Sequence, residues 1–250
     1  MRPAELEETS KTCPLAWIPV GTLEWHGRHL PVGLDALKAH AICERIAQKS
    51  GGVVLPPNYF SLSGMLFPWT FKYDPVTIAR MTHVTLKKLR KNGFKVIFII
   101  TGHYPSDHVL LLMAVAEWFM TFNDAVVVAL PEFAMAKESG YNGDHAAKWE
   151  TSLMMELFPE LIGKDEMDKY RDLSGFEMFF KGVHGENPAI SASRELGAST
   201  LNEIESGFSE LAARLLDNPD KRIAKEIHRE MIFNFIANGW RNAEEMIVRK

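Results

Sequence analysis

The stretch FKVIFIIT at residues 94–101 decides the fold class. It is almost wholly apolar and rich in β-branched side chains, which is typical of a central strand buried on both faces of a parallel sheet. The run AVVVAL at 125–130 has the same character, and the segment 106–122 between the two has the apolar spacing of a helix. A buried strand, a helix and a second buried strand predict a βαβ unit.

The same alternation extends towards the N-terminus. Residues 16–20 and 53–55 are predicted to be strands, and residues 35–50 a helix that ends at the glycine pair 51–52. A further helix begins after Asp74, which can accept a hydrogen bond as N-cap, and ends at Gly93. The order of these elements predicts an α/β protein with a mostly parallel sheet covered by helices.

The C-terminal half is predicted to be mainly helical. Helices are expected at 145–158, 201–216 and 221–238, with irregular chain over 159–198. Since there is no internal repeat and no linker, we expect one domain over 1–250. The last helix is apolar on more than one face, so we expect it to pack on another subunit of a homo-oligomer; packing within its own chain is the alternative, at even weight. Its large apolar residues are Ile223, Ile227, Met231, Ile232, Phe233, Phe235, Ile236 and Trp240.

The amino-acid composition argues against several classes of protein. The 250 residues carry a formal charge of −4 with 24% charged and 46% hydrophobic residues, and no basic stripe that would bind nucleic acid. No run approaches the roughly 18 apolar residues of a membrane span, and the first residues lack the apolar segment of a secretory signal. The two cysteines do not form a disulfide framework. We therefore expect a cytoplasmic enzyme or binding protein with neither nucleic acid nor membrane as partner.

Polar clusters follow three predicted elements. The first is GTLEWHGRHLP at 21–31, followed by Asp35; because residues two apart in extended chain face the same side, Glu24 and His26 can point into one site. Together with Asp35 they would suit Zn²⁺, Mn²⁺ or Fe²⁺. The alternative is that His26 is a surface histidine and that Asp35 only caps the following helix.

The second and third clusters are TGHYPSDH at 101–108 and NGDHAAKWETS at 142–152. His103 follows the most buried strand and is placed to be a ligand or proton carrier, or a buried core histidine. His145 and Glu150 lie five residues apart, about 140° on a helix, so they can converge only if His145 precedes the first turn. The alternative reading makes Asp144 an N-cap and Glu150 an exposed helical residue.

These segments resemble the signatures of the creatininase (creatinine amidohydrolase) family. The stretches 21–31, 101–104 and 145–152, together with GVHGENP at 182–188, occur in the family's order and cover roughly residues 15–215. The resemblance implies a three-layer α/β/α fold, a two-metal centre of Zn, Mn or Fe, and often a hexamer. It also implies that the chain from about residue 217 is a C-terminal helical extension.

The resemblance also implies roles for single residues. Glu24, Asp35 and His103 would hold one metal, and His26 and Asp35 the other, with Asp35 bridging. His145 would transfer the proton. Asp144 would orient His145 or cap the helix, and Tyr104 and Trp69 would contact the substrate.

The sequence departs from the family pattern at several positions: Arg28, Trp69, Thr101, Pro105 and Ala147. The main departure is Pro105, which stands where creatininases place a metal-binding Glu; Glu150 is our candidate for the missing ligand. We therefore expect hydrolysis of a C–N bond in a small amide or cyclic amide, but not of creatinine. The alternatives are a catalytically silent metal-binding relative and a deformylase or peptidase of the same family.

Overall fold

The computed structural model describes the backbone of residues 1–248 and the side chains of residues 1–237. Its centre is a parallel sheet with the strand order β2-β1-β3-β4. The strands are β1 (Leu15–Val20), β2 (Val53–Val54), β3 (Val96–Thr101) and β4 (Val126–Pro131). The predicted parallel sheet is confirmed, with β3 paired to β1 on one side and to β4 on the other.

Helices cover the sheet in the described part of the chain. They are α1 (Pro3–Thr12), α2 (Leu34–Ser50), α3 (Pro75–Lys91), α4 (Ser106–Phe122), α5 (Lys148–Leu157), α6 (Lys164–Asp168), α7 (Gly175–Phe179), α8 (Pro188–Ser191), α9 (Arg194–Asp217) and α10 (Lys221–Val248). None of the described helices is long and apolar enough to cross a membrane.

The core lies on both faces of the three longer strands. Every residue of β1, β3 and β4 is buried, as expected for strands covered on both faces. Trp17 of β1 stacks on Phe98 of β3 with ring centroids 4.4 Å apart, and Phe208 of α9 meets Phe98 edge-on. Burying one such side chain contributes about 1.5–3 kcal/mol.

The strand order fixes where a ligand can bind. From β1 the chain crosses through α2 to β2 on one side, whereas β3 and β4 lie on the other side of β1. Right-handed crossovers in opposite directions place α2 on one face and α3 and α4 on the other. Accordingly α2 packs with α5 and α9, while α3 packs with α4. The three-layer α/β/α fold is confirmed, and its switch point lies between β1 and β3, where open α/β sheets bind ligands.

Several helix ends match the predicted signals. Asp74 accepts a hydrogen bond from the Thr77 N–H at the start of α3, and Gly51 ends α2 with a φ of 77°. The N-cap of α2 is Gly33, so Asp35 stands inside the first turn of that helix. Several features differ from the prediction: α5 begins at Lys148, α9 begins at Arg194, where Ser193 caps it, and α10 continues to Val248. The chain predicted to be irregular over 159–198 contains the short helices α6, α7 and α8.

The last helix, α10, packs partly within its own chain. Ile223, Ala224, His228 and Met231 are buried, and the helix contacts α4 and β4. Phe233 and Ile236 remain 72% and 53% exposed. Ile227, Ile232 and Phe235 are partly buried against the core, and Trp240 lies outside the described side chains.

Candidate metal centre

The polar cluster predicted from the sequence lies beyond the C-terminal ends of β1 and β3. Asp35 reaches this point because α2 runs very close to both strands. A Cβ added to Gly21 would lie 2.2 Å from the Ala36 nitrogen, and one added to Gly102 would lie 2.2 Å from the Asp35 carbonyl oxygen. Both contacts are with backbone, which cannot swing aside, so glycine at these two positions is what allows Asp35 to enter the switch point.

Glu24, Asp35 and His103 form the first group of candidate ligands, and all three are buried. Nδ1 of His103 lies 2.9 Å from Oδ2 of Asp35 and 3.0 Å from Oε2 of Glu24. The other ring nitrogen, Nε2, donates to the carbonyl oxygen of Ser63 at 2.8 Å. Since a carbonyl can only accept, the proton of a neutral ring sits on Nε2 and leaves the Nδ1 lone pair facing the two carboxylates.

His26, Asp35 and Glu150 form the second group, which is equally buried. Nε2 of His26 lies 2.9 Å from Oδ1 of Asp35 and 3.5 Å from Oε2 of Glu150. Its Nδ1 donates to the carbonyl oxygen of Glu24 at 3.0 Å. Histidines that bind metals commonly have this arrangement, in which the outer nitrogen is fixed by a backbone carbonyl and the inner one is left for the ion.

Asp35 belongs to both groups. Its Oδ1 faces His26 and its Oδ2 faces His103. One carboxylate thus directs one oxygen into each candidate site.

The unmet polar atoms of the cluster show that these residues fit a cation. Nε2 of His26 and Oδ1 of Asp35 are buried and have no hydrogen-bond partner among the described residues. A buried polar atom left unpaired costs free energy, and a divalent ion held between these two atoms would satisfy both. Imidazole nitrogen and carboxylate oxygen are ligands that suit Zn²⁺, Mn²⁺ and Fe²⁺.

The pKa values of the clustered histidines and carboxylates also show how strongly this site favours positive charge. Burial opposes protonation of His26 and His103, but the adjacent carboxylates outweigh it and raise the pKa of His26 to about 9 and that of His103 to about 10. The same contacts hold the pKa of Asp35 and of Glu24 below the ordinary value in spite of burial. Cation binding must therefore displace protons from these imidazoles, which makes it dependent on pH.

His145 lies beside the cluster and makes a third group with Glu24 and His26. Its Nε2 donates to the carbonyl oxygen of Trp25 at 2.7 Å, and its ring lies 4.3 Å from that of His26. Burial and the charge of His26 lower the pKa of His145 to about 4. Because α5 begins only at Lys148, His145 precedes the first turn of this helix. This is the position from which His145 and Glu150 can point towards one centre.

The remaining predicted site residues take different positions. Asp144 accepts from the Trp149 and Glu150 N–H groups at 2.7 and 3.1 Å, so its hydrogen bonds are those of a cap on α5. Tyr104 lines the cavity with its ring while its hydroxyl points into the protein. Trp69 is 67% exposed with a φ of 66° and lies outside the cavity lining.

A cavity of about 570 Å³ opens onto the candidate ligands. Glu24, Asp35, His103, His145 and Glu150 all reach it, which places both candidate sites and the proposed proton carrier at one surface. Pro105, which has no ligating side chain, also lines it. Phe133 and Phe235 form an apolar part of the wall, and Phe235 comes from α10.

Lys38 and Glu132, which no sequence pattern marked, lie directly behind Glu150. The Lys38 side chain is fully buried, with Nζ 2.7 Å from Oε1 of Glu150 and 3.0 Å from Oε1 of Glu132. The Tyr104 hydroxyl bonds to both Lys38 and Glu132, and Tyr141 completes the network. A lysine in a helix and a glutamate after a strand both look like exposed residues in a sequence, so no simple pattern marks them.

Comparison with known proteins shows which family the chain resembles. The model of the creatininase family, described as creatinine amidohydrolase, matches residues 1–212. Creatinine amidohydrolase of Pseudomonas putida is 27% identical over 173 residues, which are 60% of this chain and 66% of that protein. The mycofactocin precursor peptide peptidase of Mycolicibacterium smegmatis is 26% identical over 164 residues, 62% of either chain.

A third relative is the 3-dehydro-scyllo-inosose hydrolase of Thermotoga maritima, 24% identical over 175 residues, 64% of this chain and 56% of that protein. The aligned part thus spans less than two thirds of the length of each of these relatives. Among solved structures, a creatinine amidohydrolase superposes with a TM-score of 0.75 at 22% identity, covering 86% of this chain and 96% of that one. A creatininase variant complexed with creatine superposes with a TM-score of 0.72 at 25% identity, covering 88% and 97%.

The family match spans most of the chain and includes both ligand groups and His145. Its last residue, 212, lies within α9, so α10 follows the matched region. On this match, the chain belongs to the creatininase family, whose members compared above are hydrolases.

Proposed function

We propose that the chain is a metal-dependent amidohydrolase that cleaves a C–N bond in a small amide or cyclic amide. The observation that carries the proposal is the position of Asp35, with one carboxylate oxygen in each of two buried groups of ligand atoms. Such an arrangement suits two divalent ions bridged by one carboxylate. Solved creatininases that superpose on this fold include a manganese form and a zinc form.

The residues would divide between two ions of Zn²⁺, Mn²⁺ or Fe²⁺. Glu24, Asp35 and His103 would hold one, and His26, Asp35 and Glu150 the other. When bound, such ions polarise the scissile carbonyl and lower the pKa of water towards neutrality. In this assignment Glu150 supplies the carboxylate that Pro105 cannot, since it already lies beside His26 and Asp35.

His145 is the proposed proton carrier. Its Nε2–H is held by the Trp25 carbonyl, so the neutral ring presents an unprotonated Nδ1. This nitrogen can take a proton from the attacking water and return it to the leaving nitrogen of the amide. The lowered pKa of His145 keeps the ring neutral, in the form that accepts the proton.

The substrate we propose is a small amide other than creatinine. The cavity is large enough for a ligand of ordinary size, and its wall combines the polar ligand cluster with the rings of Phe133 and Phe235. The named relatives act on creatinine, on a peptide and on 3-dehydro-scyllo-inosose, so proteins similar to this chain act on different substrates. The peptidase among them makes a peptide-type amide the second candidate.

A catalytically silent metal-binding relative is the remaining alternative. It would need the ligand atoms as an enzyme does, but it would have no need for a neutral histidine, His145, at the same cavity. The experiment is metal analysis of the purified protein, followed by assay of the loaded protein on a panel of cyclic amides, formamides and short peptides. One or two ions per chain and hydrolysis of at least one amide would support the proposal; bound ions with no hydrolysis of any member would favour the silent protein.

We also propose that the protein works in the cytoplasm as a homo-oligomer. The exposed Phe233 and Ile236 of α10 form the apolar surface that supports an assembly. Light scattering at micromolar concentration should give a mass above that of one chain, and a monomer would refute it. The net charge of −4 makes nucleic acid an unsuitable partner.

A further inference from the structure

Lys38 carries a positive charge in the interior of the protein, directly behind the second ligand group. Its side chain has no exposed surface, and neither do the carboxylates it meets, apart from 1% for Glu150. Taking an ammonium group out of water costs several kcal/mol unless it is paired and hydrogen-bonded. A buried lysine therefore lowers the stability of the folded protein unless its partners offset the cost. Lys38 does not line the cavity, so contact with a substrate does not explain its presence.

The position of Lys38 relative to Glu150 suggests what it does. Nζ holds Oε1 of Glu150 at 2.7 Å, while Oε2 accepts from the Ala146 N–H at 2.8 Å and faces Nε2 of His26. The carboxylate is thus held from two sides. With Oε1 occupied, only Oε2 is turned towards His26 and Asp35.

We propose that Lys38 is a positioning residue for the second cation site, which it serves by fixing the carboxylate of Glu150. The inference rests on the proposed function, because it takes Glu150 as a ligand. Among the described residues, Lys38 makes no hydrogen bond or ion pair with Glu24, Asp35 or His103, which form the first site. Loss of Lys38 should therefore affect one site and spare the other.

Glu132 explains how the lysine can hold Glu150 without cancelling its attraction for a cation. It shares the ammonium group at 3.0 Å and is itself fully buried. The Tyr104 hydroxyl bonds to both of these residues, so the positive charge is divided between two carboxylates. Glu132 belongs to neither ligand group, and among the described residues its side chain bonds to Lys38, Tyr104 and Tyr141 and not to His26 or Asp35.

The test is a titration of the full-length, metal-free protein with Zn²⁺, followed by calorimetry and by metal analysis after dialysis. Wild type should bind two ions per chain. In Lys38→Met the affinity of one site should fall 10- to 100-fold, the usual effect of removing a partner that orients a ligand, while the other site keeps its affinity. The matched control is Lys49→Met, which removes a lysine of the same helix from its ion pair with Glu205, away from both ligand groups, and should keep both sites.

A second variant guards against unfolding of Lys38→Met, which leaves two buried carboxylates without their cation. Lys38→Met combined with Glu132→Gln restores the net charge of the network, and it should fold and still lose one site. Two undiminished sites in a folded Lys38 variant would overturn the inference alone. A wild-type protein that binds no Zn²⁺ would instead overturn the proposed function.

Discussion

Nε2 of His26 and Oδ1 of Asp35 lie 2.9 Å apart in the buried centre, yet neither has a hydrogen-bond partner among the described residues. The two atoms face each other without the geometry of a hydrogen bond. The outer nitrogen of the same imidazole is bonded to the Glu24 carbonyl, so the ring cannot turn to find another partner. A divalent cation between the two atoms would satisfy both.

Replacement of Asp35 tests the whole centre. Asp35→Ala should remove both metal ions, because its two oxygens reach into both ligand groups. Metal content per chain is measured after dialysis against metal-free buffer, with circular dichroism to check the fold. Glu44→Ala is the matched control, since Glu44 lies on the same helix with its side chain 58% exposed. Retention of two ions in Asp35→Ala would show that the centre has been assigned to the wrong residues.

His145→Ala separates catalysis from metal binding. If His145 moves the proton, kcat on the best amide of the panel should fall about 10²- to 10⁴-fold, while the metal content stays at the wild-type value. His40→Ala is the control, as His40 is a partly exposed histidine on α2 outside the cluster. Metal loss in His145→Ala would instead make His145 a ligand, for which its place beside Glu24 and His26 provides the geometry.

Much of the sheet and of the candidate ligand cluster could be predicted, because local sequence marks both the strands and the positions that follow them. The burial of FKVIFIIT follows from its own composition, and the strand-end position of Glu24, His26 and His103 follows from the strands they succeed. The joint orientation of His145 and Glu150 could be stated only as a condition. It depends on where α5 begins, and Ala146 takes a left-handed φ of 52° just before that point.

The features that the sequence could not predict depend on contacts between residues that are far apart in the chain. Lys38 and Glu150 are 112 residues apart, and nothing in either segment shows that they meet. Phe235 reaches the cavity from α10, which was expected to pack on another subunit, and its path across α4 and β4 is a tertiary property. Helix α1 was missed because it has no buried residue and hence no apolar periodicity to detect.

His228 should make the stability of the protein depend on pH. Its side chain is fully buried and its Nε2 accepts the Ala129 N–H at 2.9 Å, so the folded state needs a neutral ring. Burial lowers the pKa of His228, and Glu117 at 3.3 Å, the charged group that faces it, only partly offsets this. In the unfolded chain the pKa of histidine is about 6.5.

The pKa values of His228 in the folded and unfolded states determine how the free energy of unfolding changes with pH. Below about pH 6.5 the unfolded state binds a proton that the folded state does not, so the free energy of unfolding falls as pH drops, by at most about 1.4 kcal/mol per pH unit from this group. His228→Gln keeps an acceptor for Ala129 and should reduce that dependence between pH 7.5 and 5.5, measured by urea unfolding. Equal slopes for wild type and variant would mean that His228 takes up its proton in the folded protein as readily as in the unfolded chain.

The final prediction is that the metal-loaded protein does not turn over creatinine at rates typical of enzymes. Pro105 is the N-cap residue of α4 at the cavity wall and has neither a ligating side chain nor an N–H, at the position where the family resemblance implies a metal-binding Glu. The ligand that we propose in its place, Glu150, belongs to α5, so the second ion would be held from a different side. Trp69 does not line the cavity, so the prediction rests on Pro105.

Creatine formation from creatinine is the measurement, on protein whose two sites have been shown to be filled. A kcat on the order of 1–10³ s⁻¹ for wild type would show that the carboxylate at position 105 is dispensable and that the prediction is wrong. Pro105→Glu should raise the creatinine rate, because it returns a carboxylate to the cavity wall, whereas Pro105→Ala should leave it unchanged. An equal rise in both variants would trace the effect to loss of the proline ring and not to a new ligand.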